Sequence, residues 1–165
     1  MRRIILLSVV CLGIAAAPAV YAQGDASSDI CASSDDSALS PQQRIAACTR
    51  VIKAAKPGSG ELVNALVNRG AANWLIDRMG PAYADLDRAI ALDPRNGRAF
   101  RERANAFRSE NKLDRALSDA TEAVRLNPKD AEAFDVRGNV LSNKGEYDRA
   151  IAEYDAALKL DPKFS

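Results

Sequence analysis

The sequence predicts an all-α protein built from stacked helical hairpins, and three observations carry that prediction. The first is a period. Pro94, Pro128 and Pro162 lie 34 residues apart, and each closes a similar phrase: Ala-Ile-Ala-Leu-Asp-Pro, Ala-Val-Arg-Leu-Asn-Pro and Ala-Leu-Lys-Leu-Asp-Pro. The second is a set of small residues that recur in phase with it: Gly70, Ala104 and Gly138, then Ala82, Ala116 and Ala150, then Ala89, Ala123 and Ala157. The third is the stop at each phrase's end, because proline cannot continue a helix and biases the residue before it out of the α region. An internal period of this length marks a stack of similar units, each shielding its neighbour.

Within each unit the columns describe two helices in close approach. Gly70, Ala104 and Gly138 sit where two backbones come near, and Ala82, Ala116 and Ala150 face that spot from the second helix. Leu86, Ala120 and Tyr154 follow four residues later on the same face. This spacing, with a bulky residue four before the Gly/Ala column, resembles the tetratricopeptide repeat (TPR), a 34-residue helix–turn–helix unit. The third copy carries the most motif positions: Phe134, Gly138, Leu141, Gly145, Tyr147, Ala150, Tyr154, Ala157 and Pro162. The second carries Phe100, Ala104, Phe107, Leu113, Ala116, Ala123 and Pro128. The first is degenerate, with Leu66, Gly70, Ala82, Ala89 and Pro94 but Asn73 where an aromatic is usual. The resemblance implies a right-handed TPR superhelix with repeats at 61–94, 97–128 and 131–162.

Taken in order, the chain opens with Arg2 and Arg3, an apolar core over 4–17, and Val20-Tyr21-Ala22. That is the pattern of a secretory signal peptide cut after Ala22, and the apolar run is short for a bilayer span. The expectation is a periplasmic or secreted protein with no membrane attachment after cleavage. Loss of Arg2 and Arg3 changes the formal charge from +1 to −1, so no global charge argues for nucleic acid. Residues 23–40 read as a flexible lead-in and an irregular segment. Cys31 and Cys48 are the cysteines left after processing, and two cysteines in an exported chain suggest one disulfide, two unpaired thiols being the alternative.

Ser40-Pro41-Gln42-Gln43 is a helix start, with a Ser cap, Pro at the first position and Gln three after the cap. Ile45, Cys48, Val51 and Ile52 continue it at helical spacing. The helix predicted over 41–56 resembles the second helix of a repeat without its first, a half-repeat that covers the open face of the first full unit. At the other end only Lys163, Phe164 and Ser165 follow Pro162. An uncovered apolar face around Ile151, Tyr154 and Leu158, available for self-association or a partner, stands against the reading that this helix is amphipathic enough alone.

The chemistry that is missing narrows function. With no histidine, Ser-His-Asp and Cys-His pairs and His-bearing zinc sites are excluded. No glycine-rich phosphate loop occurs, and no cofactor or metal site is expected. Asp85, Asp87, Asp119, Glu122, Asp148, Glu153 and Asp155, interleaved with Arg88, Arg115 and Arg149, read as a solvated outer face with i,i+4 pairs. The chain is therefore expected to bind rather than catalyse.

The resemblance places a concave groove along the first helices, suited to peptides or extended segments. Its candidate residues are Trp74, then Arg98, Arg101, Asn105 and Arg108 on one helical stripe, then Glu132, Asp135 and Asn139. Arginine forks suit carboxylates. Either these arginines receive an acidic ligand, or they pair with Glu102 and Asp135 and solubilise the face; Trp74 is either core or an aromatic anchor. Chaperone-binding TPR proteins use a carboxylate clamp drawn from three repeats. Arg101 and Asn105 match its first two positions, but Val136 stands where the next Asn belongs, and Val67 and Ala71 fail in the first repeat. The full clamp is absent. The reading is an adaptor or assembly factor for an unidentified protein or peptide, with an accessory domain of an envelope enzyme, or a self-assembling solenoid, as alternatives.

Overall fold

The computed structural model describes residues 26–32 and 39–163, so the expected signal segment 1–22 lies outside the described residues. Eight helices follow in order: α1 (Ala26–Ala32), α2 (Pro41–Ala54), α3 (Gly60–Trp74), α4 (Met79–Leu92), α5 (Gly97–Ser109), α6 (Leu113–Leu126), α7 (Ala131–Asn143) and α8 (Tyr147–Leu160). No strand occurs among the described residues. Each of α3–α4, α5–α6 and α7–α8 packs first as a hairpin and then onto the next, giving the all-α superhelix of repeats.

The first helix of each hairpin starts at a side-chain cap, and the second starts without one. Ser59 accepts from the Leu62 N–H, Asn96 from Ala99, and Asp130 from Glu132 and Ala133. These oxygens satisfy N–H groups that have no partner inside the helix. Helices α4, α6 and α8 instead follow a left-handed residue: Asp77 (φ 60°), Asn111 (φ 57°) and Gly145 (φ 80°). In each case the next N–H returns to a carbonyl five residues back, Arg78 to Asn73, Lys112 to Phe107 and Glu146 to Leu141. Glycine, Asn and Asp are the residues that tolerate this conformation best. The three turns are 34 residues apart, so the sequence period is also a backbone period.

The small-residue columns lie where the hairpins close. A Cβ on Gly70 would meet Leu86 Cγ at 2.7 Å, and one on Gly138 would meet Tyr154 Cε1 at 2.6 Å. Ala82, Ala89, Ala104, Ala116, Ala123, Ala150 and Ala157 are all buried. Between hairpins, Tyr83 of α4 stacks on Phe107 of α5 at a centroid distance of 4.9 Å.

A second column was not legible as such. Arg69 donates to both oxygens of Asp85 at 2.7 Å, and Arg103 to both of Asp119 at 2.7 and 3.0 Å. Arg137 donates once to Glu153 at 2.7 Å. Each pair joins the two helices of one hairpin at a separation of 16 residues. Asp85, Asp119 and Glu153 therefore do not belong to the solvated face expected for them. They turn inward because an arginine on the facing helix reaches them. Arg103 also donates to Asp87 at 2.6 Å, joining α5 to α4 as well as to α6.

The N-terminal end departs from expectation in one respect. Where an irregular segment was expected, residues 26–32 form α1, so α2 does not stand alone as a half-repeat. The Cys31–Cys48 disulfide is formed and ties α1 to α2, with Cα atoms 4.8 Å apart. Cys31, Ala47, Cys48, Val51 and Ala65 make one apolar cluster, with Ile30 and Ile52 against it. The Asn68 Nδ2 donates to the Cys31 carbonyl at 2.7 Å, fixing α1 to α3 as well.

At the C-terminal end, Tyr147, Ile151 and Leu158 of α8 are 66%, 57% and 46% exposed. Tyr154 is only half-buried, held by its ring over Gly138 and by its hydroxyl, which donates to Asn139 Oδ1 at 3.0 Å. No helix among the described residues is long and apolar enough to cross a membrane.

Candidate functional site

A polar cleft of about 590 Å³ opens beside the start of α5, next to the predicted stripe. Arg98, Arg101 and Glu102 of α5 form one wall, and Asn127, Lys129 and Asp130 of the α6–α7 turn, with Ala131 and Glu132 at the start of α7, form another. Ala32 of α1, Arg44 of α2, and Leu160 and Asp161 at the end of α8 complete it. The fold thus brings α1 and α2 to the same cleft as the end of α8. Sequence reasoning missed Arg44, Lys129 and Asp130, because α2 and the inter-repeat turns lie outside the stripe rule. The signal available for Asp130 was its place before a helix start.

The members of the predicted stripe on α5 have different surroundings. Arg101 is buried and saturated: it donates to Asp130 at 2.8 and 3.0 Å, to Glu102 at 3.2 Å, and pairs with Glu132 at 2.6 Å. Burial works against its charge, but Glu102, Asp130 and Glu132 outweigh that and hold its pKa above the ordinary arginine value. A cation so enclosed is a strut and not a free receptor for a ligand carboxylate. Asp130 is also the cap of α7, so Arg101 fixes the next repeat through that cap. Glu132, predicted as a groove residue beside the arginine stripe, is drawn into this network by its pair with Arg101.

Arg98 keeps its freedom, with its side chain 45% exposed and only a 4.0 Å approach to Glu102. Lys129 is exposed on the opposite wall. Farther along, Asn105 and Arg108 are half-buried. Burial pushes the Asp135 carboxyl above the ordinary range, against the hydrogen bond from Asn139 at 2.8 Å and the charge of Arg108. Asn139 is thereby committed to Asp135 and Tyr154 together. Trp74 lines a smaller pocket of about 150 Å³ with Arg44, Asn68, Ala71, Leu75, Arg98 and Glu102. It is half-buried and contributes to the wall of that pocket. No group of His, Cys, Asp and Glu among the described residues could hold a metal ion.

A hairpin closed by small residues, repeated every 34 residues and stacked so that first helices line a cleft, is the architecture of one family. Residues 82–131 and 102–163 each match the tetratricopeptide repeat model. The chain is a tetratricopeptide repeat protein. Among solved structures this TPR chain is similar to MamA in a crystal structure, at 24% identity and a TM-score of 0.60, over 74% of this chain and 70% of that one. It is similar to the first TPR domain of human RPAP3, at 24% identity and a TM-score of 0.60, over 62% and 80% of the two chains. The second TPR of Spaghetti (RPAP3), bound to the HSP90 peptide SRMEEVD, matches at 25% identity and a TM-score of 0.57, over 60% and 92%. No curated protein matches this chain.

Proposed function

We propose that this TPR protein is an exported adaptor that holds an extended segment of a partner protein in the cleft beside α5. One observation carries the reading: two exposed cations, Arg98 and Lys129, face a 590 Å³ cleft whose deeper arginine is already neutralised by carboxylates. A segment with an acidic side chain or carboxylate suits that mouth, and Trp74 and Leu75 next to Arg98 offer an apolar contact to its neighbour. The Spaghetti TPR, which takes a peptide rich in acidic residues, supports a ligand of this type. Export rests on the pattern of residues 1–22, and a disulfide suits an oxidising compartment.

The test is Arg98→Glu with Lys129→Glu in a partner captured by crosslinking from the native periplasm. Both side chains are exposed, so the melting temperature should stay constant while partner affinity and its salt dependence are lost. Affinity within twofold of the parent would remove this cleft from consideration. Arg101 is unsuitable for the test, because its loss would strand Asp130 and Glu132 and disturb α7. Intact mass of the exported protein should correspond to a start at Gln23.

A further inference from the structure

The stack offers an internal control for the outer face of α8. Tyr83, Leu117 and Ile151 occupy one column at the 34-residue period, and Ile90, Val124 and Leu158 another. Tyr83 is covered by Phe107 of α5, and Leu117 packs on the cluster that holds Val140 of α7. Ile90 packs on a cluster reaching Ala99 of α5, and Val124 on Ala133 of α7. Only in α8 do both columns stand open.

The rim of this face is also marked. Asp155 occupies the column of Asp87, which receives Arg103 from the following helix α5. Asp148 occupies the column of Asp114, which pairs with Lys144 at the end of the following helix α7. Asp148 and Asp155 are exposed, and neither has a cationic partner among the described residues. Arg103 and Lys144 hold positions seven residues apart in the repeat, two turns along one helix face.

From these columns we infer that α8 presents a docking site, separate from the cleft, for an amphipathic helix of another protein that carries two cations seven residues apart beside an apolar stripe. The incoming helix takes the place that α5 takes on α4 and α7 on α6. It runs antiparallel to α8, as short inter-repeat turns require of those pairs. Its first cation meets Asp155 and its second meets Asp148, while the apolar stripe covers Ile151 and Leu158.

The probe is a labelled synthetic peptide with the sequence of residues 129–146, which contains Arg137 and Lys144 at this spacing. Against the full processed chain it should bind saturably, and binding should weaken as salt rises. Asp148→Lys with Asp155→Lys should lower affinity at least tenfold, and a peptide with Arg137→Glu and Lys144→Glu should recover it on that variant. Ile151→Glu with Leu158→Glu should abolish binding with no recovery by either peptide. Asp148→Asn with Asp155→Asn, the gentler change, should lower affinity in the same direction by a smaller factor. Absence of saturable binding at millimolar peptide overturns the inference, as does binding indifferent to the aspartate changes. A stable dimer that keeps α8 covered and excludes the peptide overturns it too, giving the face to a second copy.

Discussion

At the N-terminal end of the stack, α1 and the Cys31–Cys48 bond close the apolar surface of α2 and α3, whereas at the C-terminal end α8 leaves Ile151 and Leu158 in water. The hairpin columns continue through both ends, so the difference does not come from the repeat itself. It comes from α1, which packs on one end of the stack and has no counterpart among the described residues at the other. A short helix with few apolar residues covers the first unit, held there by the covalent tie, by the Asn68–Cys31 and Arg50–Ser27 hydrogen bonds and by the packing of Ile30 and Cys31. The interior pairs also thin out toward the open end: Arg69 and Arg103 make two bonds each to their hairpin partners, and Arg137 makes one.

The sharpest way to break this contrast is to open the closed end. Cys48→Ala, or reduction of the native protein, should cost about 3 kcal/mol in the chain-entropy picture. Hydrogen exchange should then rise first in α1 and α2, with α5–α8 protected, because repeat stability is carried by nearest neighbours. Uniform loss of protection along the chain would mean that the end and the stack form one cooperative unit.

Next come the hairpin ion pairs. Asp85→Ala strands Arg69 beside a nearly buried position and should cost about 2–3 kcal/mol, less than a fully buried pair because Arg69 is part-exposed. Glu153→Ala, at the open end with a single bond, should cost under about 1 kcal/mol. Denaturant melts of the two variants decide this, and equal costs would remove the gradient along the stack.

The glycines give a smaller and more local comparison. Gly70→Ala presses on Leu86, which is fully buried and cannot yield, so a net loss of about 1–3 kcal/mol is expected. Gly138→Ala presses on Tyr154, whose ring borders the open face and can swing outward. There the helix-propensity gain of alanine, about 0.5–1 kcal/mol, offsets most of the strain. A larger loss at Gly138 than at Gly70 would show that α8 is held more firmly than its exposure implies.

The smallest effect concerns pH. Burial raises the Asp135 carboxyl in the folded state, so the folded protein binds its proton more readily than the unfolded chain does. Stability from this group is therefore present at acid pH and falls as pH rises through the carboxylate range. Asp135→Asn should give a slight gain in melting temperature at neutral pH that shrinks on acidification. A gain that is independent of pH would place its origin elsewhere.

Much of the fold was legible because it is repetitive. The 34-residue columns located the hairpins, and Ser40 with Gln43 located the start of α2, where the capping box forms in both directions. The helix α1 was not legible. Seven residues with little apolar periodicity form a helix through Cys31 and Asn68, which are contacts made across the fold. The stripe could be placed on α5 from its spacing, but its electrostatics could not be read there. Arg98 and Arg101 are three residues apart on one helix, yet only Arg98 is free, because Asp130 and Glu132 arrive at Arg101 from the next repeat.

What the sequence determined by itself was the hairpin scaffold: the stop at the end of each repeat, the capped start of α2, and the small residues that let two helices approach. Those depend on side chains within a few residues or one period of each other. The tertiary structure alone decided which charges are spent inside the protein and which meet water. A carboxylate reads the same in sequence whether it faces solvent or an arginine from a neighbouring helix, and superhelical stacking sets that difference. Stacking likewise draws Arg44, Lys129 and Asp161, far apart in the chain, around one cleft.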